Sequence, residues 1–341
     1  GRRAEARRGS RSSVSSARRG SGRVAGVRVL GAGASLQPMA PLHRRSLLAS
    51  AGALGLVPSA AARVLAPTVH VRRVPELLFA VKYGMVGGGG SMAERFARVR
   101  DLGFDGIELD SPNGYAEGEV TAAREATGLP VHGVVDSTHW NVRLSDPDPE
   151  VRTRAVADLR GAIQHAHAYG GSAVLLVPGA VRGEQETQEN VWSRSIEGIR
   201  QVLPLCARLG IHVLIENVWN GFCYQHNGPS DQTADALADY LDAIGSPWVG
   251  SYFDIGNHQK YGRPADWIRT LGSRIVKLDV KDWGKQAGFS KIGAGDVDWE
   301  DVRAALGEIG YTGWATAEVG GGAVDSLAEG HANMTRCLRT G

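Results

Sequence analysis

Four apolar runs in this sequence carry an acid at or near their ends. HVLIEN (residues 212–217) reaches Glu216 and Asn217, and SYFDIGN (251–257) carries Asp254. RIVKLDVKD (274–282) carries Asp279, and GWATAE (313–318) ends on Glu318. Acids gathered in a low-dielectric interior are costly unless a positive charge joins them. Four unrelated salt bridges would account for one or two of these positions, not for four at equivalent places. A shared divalent cation is the simpler reading. The donor set Glu216, Asp254, Asp279 and Glu318 is all oxygen, which suits Mn²⁺ or Mg²⁺ better than Zn²⁺. Zinc enters only if His258 or His139 joins the shell. Lys281 or Lys285 would offset the excess negative charge, or one carboxylate would stay partly protonated.

From Leu77 onward the chain alternates between short apolar runs and amphipathic helical stretches. The runs are LLFAVKYG, GIELD, LPVHGVV, SAVLLVP, IHVLIEN, WVGSYFDIGN, RIVKLDVKD and WATAEVG. The intervening stretches end in RDLG, EATG, HAYG, ARLG, DAIG, RTLG and GEIG. Glycine after a last helical turn takes the left-handed conformation and satisfies the terminal carbonyls. Eight strands alternating with helices predict an α/β fold, a single (β/α)8 barrel over residues 76–338. A doubly wound sheet is the runner-up, but no G-x-G-x-x-G follows the first strand. Parallel barrel strands are buried on both faces, and their C-terminal ends form the face where such barrels work. Side chains alternate along a strand, so Lys277, Asp279 and Lys281 share the inward face. Val276, Leu278 and Val280 are expected under the helices. The same counting pairs His212 with Glu216, Tyr252 with Asp254, and Trp314 and Thr316 with Glu318.

LIENVW, YFDIGN, VKDW, IGAGDVDW and GWATAE, in that order, resemble the xylose-isomerase-like TIM-barrel superfamily over roughly residues 77–338. That group comprises sugar and sugar-phosphate isomerases and epimerases, together with endonuclease IV-type enzymes. The resemblance implies a divalent metal held at Glu216, Asp254, Asp279 and Glu318, with Asp279 standing where histidine is usual. It also implies that Glu216 and Glu318 act as acid and base, and that Asn257, with His258 beside it, takes the place of a substrate ligand. The expected function is a metal-dependent sugar isomerase or epimerase that abstracts a proton next to a carbonyl through a metal-stabilised enediolate. Loss of a β-oxygen from the same intermediate would make it a keto-glycoside lyase.

Other polar residues fall near the mouth. Glu108 is a candidate for a substrate hydroxyl; His139 and Trp140, Trp219 and Phe222 suit a sugar ring. Asn217, which would also orient Glu216, and Lys281 are further candidates for the substrate, and Lys82 either reaches the substrate or is solvated. His132 reads as a hydrogen-bonded core histidine, and His165 and His167 as surface residues. The three cysteines form no framework, and Cys206 lies on an apolar face.

The chain has 341 residues and a net charge of +2, with much of the basic excess near its N-terminus. Residues 1–42, rich in Arg, Ser and Gly, have too few large apolar groups to fold and read as a disordered extension. In residues 43–66, Arg44 and Arg45 precede an apolar run and small residues, the shape of a twin-arginine export signal. That points to the periplasm, and to the cytoplasm if the signal is misread. The remainder is slightly acidic, which argues against nucleic acid as a partner, and no segment is long enough to span a membrane. A barrel endonuclease with a histidine-rich zinc cluster is disfavoured because the histidines miss the strand ends. A carbohydrate-binding barrel without catalysis is the remaining alternative.

Overall fold

The computed structural model describes residues 76–318, 320 and 323–339. The extension (1–42) and the twin-arginine segment (43–66) lie outside the described residues.

The eight expected runs form one closed parallel barrel. Its strands are β1 (Leu77–Lys82), β2 (Gly106–Ser111), β3 (Val131–Asp136), β4 (Ala173–Leu176), β5 (His212–Glu216), β6 (Val249–Asp254), β7 (Ile275–Val280) and β10 (Gly313–Ala317). β10 closes the ring between β7 and β1. A short antiparallel hairpin, β8 (Asp282–Gly284) and β9 (Gly288–Ser290), is inserted straight after β7. Helices α1 (Met92–Asp101), α2 (Glu117–Thr127), α3 (Pro149–Ala168), α4 (Gln188–Leu209), α5 (Asp235–Ile244), α6 (Pro264–Leu271), α7 (Trp299–Glu308) and α8 (Val324–Met334) follow the strands. Among the described residues no helix is long and apolar enough to cross a membrane.

Local chemistry accounts for the helix ends. Gly103, Gly128, Gly170, Gly210, Gly245, Gly272 and Gly310, the seven glycines singled out above, all have φ between +54° and +92°. A side chain there would crowd the following carbonyl. At the start of α1, Ser91 and Glu94 form a reciprocal capping box, which satisfies two N–H groups that the helix leaves free.

The main core lies between the strands and the helices, with Phe79, Ile107, Phe253 and Leu278 fully buried. Each such side chain contributes roughly 1.5–3 kcal/mol. A smaller apolar layer, Ala173, Leu175, Leu214 and Tyr252, fills the barrel interior. Val276 departs from the expected parity. A register shift between β6 and β7 pairs Ser251 with Ile275 and Tyr252 with Lys277, leaving Val276 over. Val276 therefore packs against the inner layer rather than under the helices. Beyond this bulge Lys277 and Asp279 point inward and Leu278 outward, because the extra residue restores the alternation.

Candidate functional site

Glu216 and Asp254 are the last residues of β5 and β6, Asp279 is the penultimate residue of β7, and Glu318 follows β10. Asp254 and Asp279 are register partners, and Thr316, two residues before Glu318, is the partner of Asp279. Side-chain alternation then aims all four acids at one centre. One carboxylate oxygen from each lies within 4.8 Å of the others. Glu216, Asp254 and Asp279 are buried, and the Glu318 side chain is 26% exposed.

Two lysines enter the cluster. Lys82, the last residue of β1, places Nζ 2.8 Å from both Asp279 Oδ2 and Glu318 Oε2. Lys281 places its Nζ 2.9 Å from Glu318 Oε1 and 3.2 Å from Asp254 Oδ2. Lys285, the other expected counter-charge, is exposed; its backbone N–H donates to Asp296. Burial alone would push Glu318 up, yet the ammoniums of Lys82 and Lys281 outweigh it and hold the carboxyl below the usual range. Glu216 has only Asn257 Nδ2 donating to it, at 3.3 Å, among the described hydrogen bonds. Burial, reinforced by the negative charge of Glu318, pushes Glu216 up to about 8. Burial also raises Asp279 well above its ordinary value, against the pull of Lys82.

The donor set fits a dication. Five buried or half-buried carboxylates (Glu108, Glu216, Asp254, Asp279 and Glu318) face three ammoniums, those of Lys82, Lys277 and Lys281. With every group ionised two negative charges would remain, a balance that one divalent ion closes, or that the protons held more readily by Glu216 and Asp279 close in its place. Asp279 Oδ1 is buried without a hydrogen-bond partner, an acceptor left for a cation.

Behind the cluster the polar residues are committed to the protein. Asn217 clamps the end of β6: its Oδ1 accepts from the Asp254 N–H at 2.8 Å, and its Nδ2 donates to the Asp254 carbonyl at 2.9 Å. Asn217 Nδ2 also donates to His258 Nδ1 at 2.9 Å. The Asn257 N–H donates to Asp254 Oδ1 at 2.7 Å, and its amide bonds Glu216, the Asn217 carbonyl and Lys281. Asn217 and Asn257 thus brace the acids, with their groups turned to protein rather than to a ligand. His258 is stacked on Trp267 and lines a water-sized cavity behind Glu216, away from the mouth. Burial lowers its pKa to about 3, so it stays neutral.

A one-way chain of hydrogen bonds forms the floor. Buried Lys277 donates to the His132 carbonyl at 2.6 Å and to His132 Nδ1 at 3.0 Å. His132 Nε2 meets Thr316 Oγ1 at 3.2 Å, Thr316 meets the Tyr252 hydroxyl at 2.7 Å, and Tyr252 donates to Glu108 Oε1 at 3.0 Å. Glu108, expected to bind a substrate hydroxyl, is held inside the barrel with Lys82 at 3.9 Å. His132 is the hydrogen-bonded core histidine that its strand position predicts. His165 departs from its expected surface role: its Nδ1 pairs with Ser111 Oγ at 2.8 Å.

At the rim, Trp219 Nε1 donates to the Asn257 carbonyl, and the indole packs against Phe289 of β9 at 4.9 Å. Phe222 does not close the site; it is buried against Trp192 and Tyr240. His139 is buried, its Nδ1 accepts from the Val177 N–H at 3.2 Å, and it is not one of the four residues whose ligand atoms converge. Trp140 is 39% exposed and lines a cleft of about 420 Å³ with Trp219 and Arg182. The residues that sequence reasoning missed are Lys82, as a cluster member, and Phe289, on a hairpin with no strand signal of its own.

A family profile described as xylose isomerase-like TIM barrel matches residues 96–338. An L-ribulose-5-phosphate 3-epimerase of Salmonella paratyphi C is 26% identical over 240 residues, 66% of this chain and 81% of that protein. A D-psicose 3-epimerase crystallised in the presence of D-fructose superposes with a TM-score of 0.63 at 18% identity. The match covers 78% of this chain and all of that one. The apo form of a 3-keto-D-glucoside 4-epimerase from E. coli gives a TM-score of 0.63 at 16% identity, covering 77% and 99%. These two structures share the fold.

Proposed function

This chain belongs to the xylose isomerase-like TIM barrel family, and on that premise we propose that it is a divalent-metal-dependent epimerase or isomerase of keto-sugars. The observation that carries the reading is the convergence of four carboxylate oxygens within 4.8 Å at the ends of adjacent strands. The epimerase named among its relatives supports the substrate class. Glu216, Asp254, Asp279 and Glu318 would hold the ion, Mn²⁺ or Mg²⁺ by their all-oxygen character. When bound, it supplies Lewis-acid polarisation of a sugar carbonyl and its neighbouring hydroxyl.

The protein's own groups divide the proton work. Glu318, held in place by Lys82 and Lys281 and the most accessible of the four acids, suits removal of a proton from the carbon beside the carbonyl. Glu216, braced by Asn257, suits return of a proton to the opposite face. Return on that face inverts the centre; return to the neighbouring carbon moves the carbonyl instead. Asn257 fixes Glu216 and Asp254 together, and the Lys277–His132–Thr316–Tyr252 chain holds Glu108 under Lys82.

The test is incubation of the Mn²⁺-loaded protein with D-fructose, D-psicose and D-tagatose in D₂O. Deuterium is expected at the carbon next to the carbonyl, with exchange lost in EDTA and restored by Mn²⁺. No exchange with any ketose would reject the reading. We also propose export by the twin-arginine route, on Arg44, Arg45 and the apolar run after them. Residues 1–66 fused to a reporter should direct it to the periplasm, and Arg44→Lys with Arg45→Lys should retain it inside.

A further inference from the structure

Resting on the keto-sugar reading, we propose that the substrate is a neutral glycoside whose second ring lies in the cleft beside Glu318, rather than a phosphorylated sugar. The cleft has a volume of about 580 Å³ and shares Glu318 and Lys281 with the carboxylate cluster. At roughly 30 Å³ per water-sized group it holds about nineteen such groups, more than the dozen heavy atoms of one hexose. Glu318 is the most exposed of the four acids, so the route from solvent to the cluster runs along this wall.

The charges of the cleft select against phosphate. Its described lining carries three acids, Asp282, Glu318 and Glu329, against two ammoniums, Lys281 and Lys291. Both ammoniums are already paired. Lys281 meets Asp254 and Glu318, and Lys291 meets both oxygens of Glu329 at 2.8 and 2.9 Å. A phosphate dianion would have to break those pairs or sit against net negative charge. A ring of neutral hydroxyls meets no such penalty and can donate to Glu318 and Glu329, while Asp282 is buried and already accepts from Gly293, Val297 and Trp299.

The cleft also has the surfaces that a sugar ring uses. Phe289 is 51% exposed and backed by Trp219, giving an apolar plate at the entrance. Ser290 Oγ, next in sequence and lining the same cleft, is buried without a hydrogen-bond partner. The cleft that carries Arg182 and Trp140 touches none of the four acids, so a group bound there does not extend a ring held between Glu216 and Glu318.

The experiment is calorimetric titration of the full-length Mn²⁺-loaded protein with D-fructose, D-fructose 6-phosphate and isomaltulose, a ketose bearing a glucosyl group. An aromatic plate adds about 0.5–1.5 kcal/mol beyond area, so isomaltulose should bind roughly 2- to 13-fold more tightly than D-fructose. D-Fructose 6-phosphate should bind no more tightly than D-fructose. Phe289→Ala should cost isomaltulose about ten-fold and D-fructose less than about two-fold. Glu329→Gln, which releases Lys291, should improve binding of D-fructose 6-phosphate. Tighter binding of the phosphate ester by the unaltered protein, or equal loss of both sugars in Phe289→Ala, overturns the glycoside assignment. D-Fructose that binds and exchanges deuterium without any margin for isomaltulose also overturns it, and leaves the keto-sugar reading standing. Failure of every ketose to bind or exchange removes both.

Discussion

Replacing Lys82 by methionine separates the charge balance of the site from its shape. The unbranched stem is kept, one heavy atom shorter, and the ammonium is lost from between Asp279 and Glu318, each 2.8 Å away. A unit pair at 4 Å is worth about 4 kcal/mol at an effective dielectric constant of 20. Lysine must also be desolvated to reach its place, so the net value is smaller than the sum of its contacts. Removing one partner of a buried pair typically costs about 3–5 kcal/mol. With its side chain 15% exposed, Lys82 belongs at the lower end, about 3 kcal/mol. For a barrel of this size that is a fall in Tm of about 6–12 °C. The fall should be seen in EDTA, by differential scanning fluorimetry. Saturating Mn²⁺ should return more of it than it adds to the unaltered protein, because the dication then supplies the charge that Lys82 supplied. A fall below about 2 °C, or an Mn²⁺ increment no larger than that of the unaltered protein, would refute the electrostatic reasoning.

Other perturbations read different parts of the structure. Glu216→Gln and Glu318→Gln should each lower deuterium exchange by about 10²–10⁴-fold with an unchanged circular dichroism spectrum; retained exchange in both would remove them from the chemistry. Burial, opposed by the Thr138 hydroxyl and N–H, pushes Asp136 up to about 7. Its folded value exceeds the ordinary ~3.9, so the native state holds the extra proton between about pH 4 and 7, and stability falls as pH rises through that window. Asp136→Asn has no proton to lose, so its Tm relative to the unaltered protein should rise from pH 5 to pH 8, by the equivalent of at most ~3 kcal/mol. A constant difference across that range would contradict this. A Cβ on Gly256 would stand 2.6 Å from Lys281 Cβ and 2.8 Å from its backbone carbon. Gly256→Ala should therefore cost about 1–3 kcal/mol in chemical denaturation and weaken Mn²⁺ binding, since the strand ends bearing Asp254 and Asp279 must part.

Local and periodic features of this protein were legible without coordinates. The helix-ending glycines announce themselves because their backbone conformation depends on the residue itself. Parallel strands must read as apolar runs, so the acids at their ends stood out, and alternation alone aimed Glu216, Asp254, Asp279 and Glu318 inward. Contacts between distant segments carried no such signal. Lys82 and Asp279 are 197 residues apart, and nothing around either one announces the other. Asn217, Asn257 and His258 read as ligands because they are polar and adjacent to acids; only the crossing of the β5 and β6 loops shows that their hydrogen bonds go to protein. The bulge at Val276 follows from the register between two strands, a property of neither alone. The sequence by itself determined the eight-fold strand–helix repeat and which acids face the centre, because both follow from period and propensity. Tertiary structure alone decided which charges balance those acids and which polar groups are left for a ligand, because electrostatic energy depends on distances that close only when the barrel does.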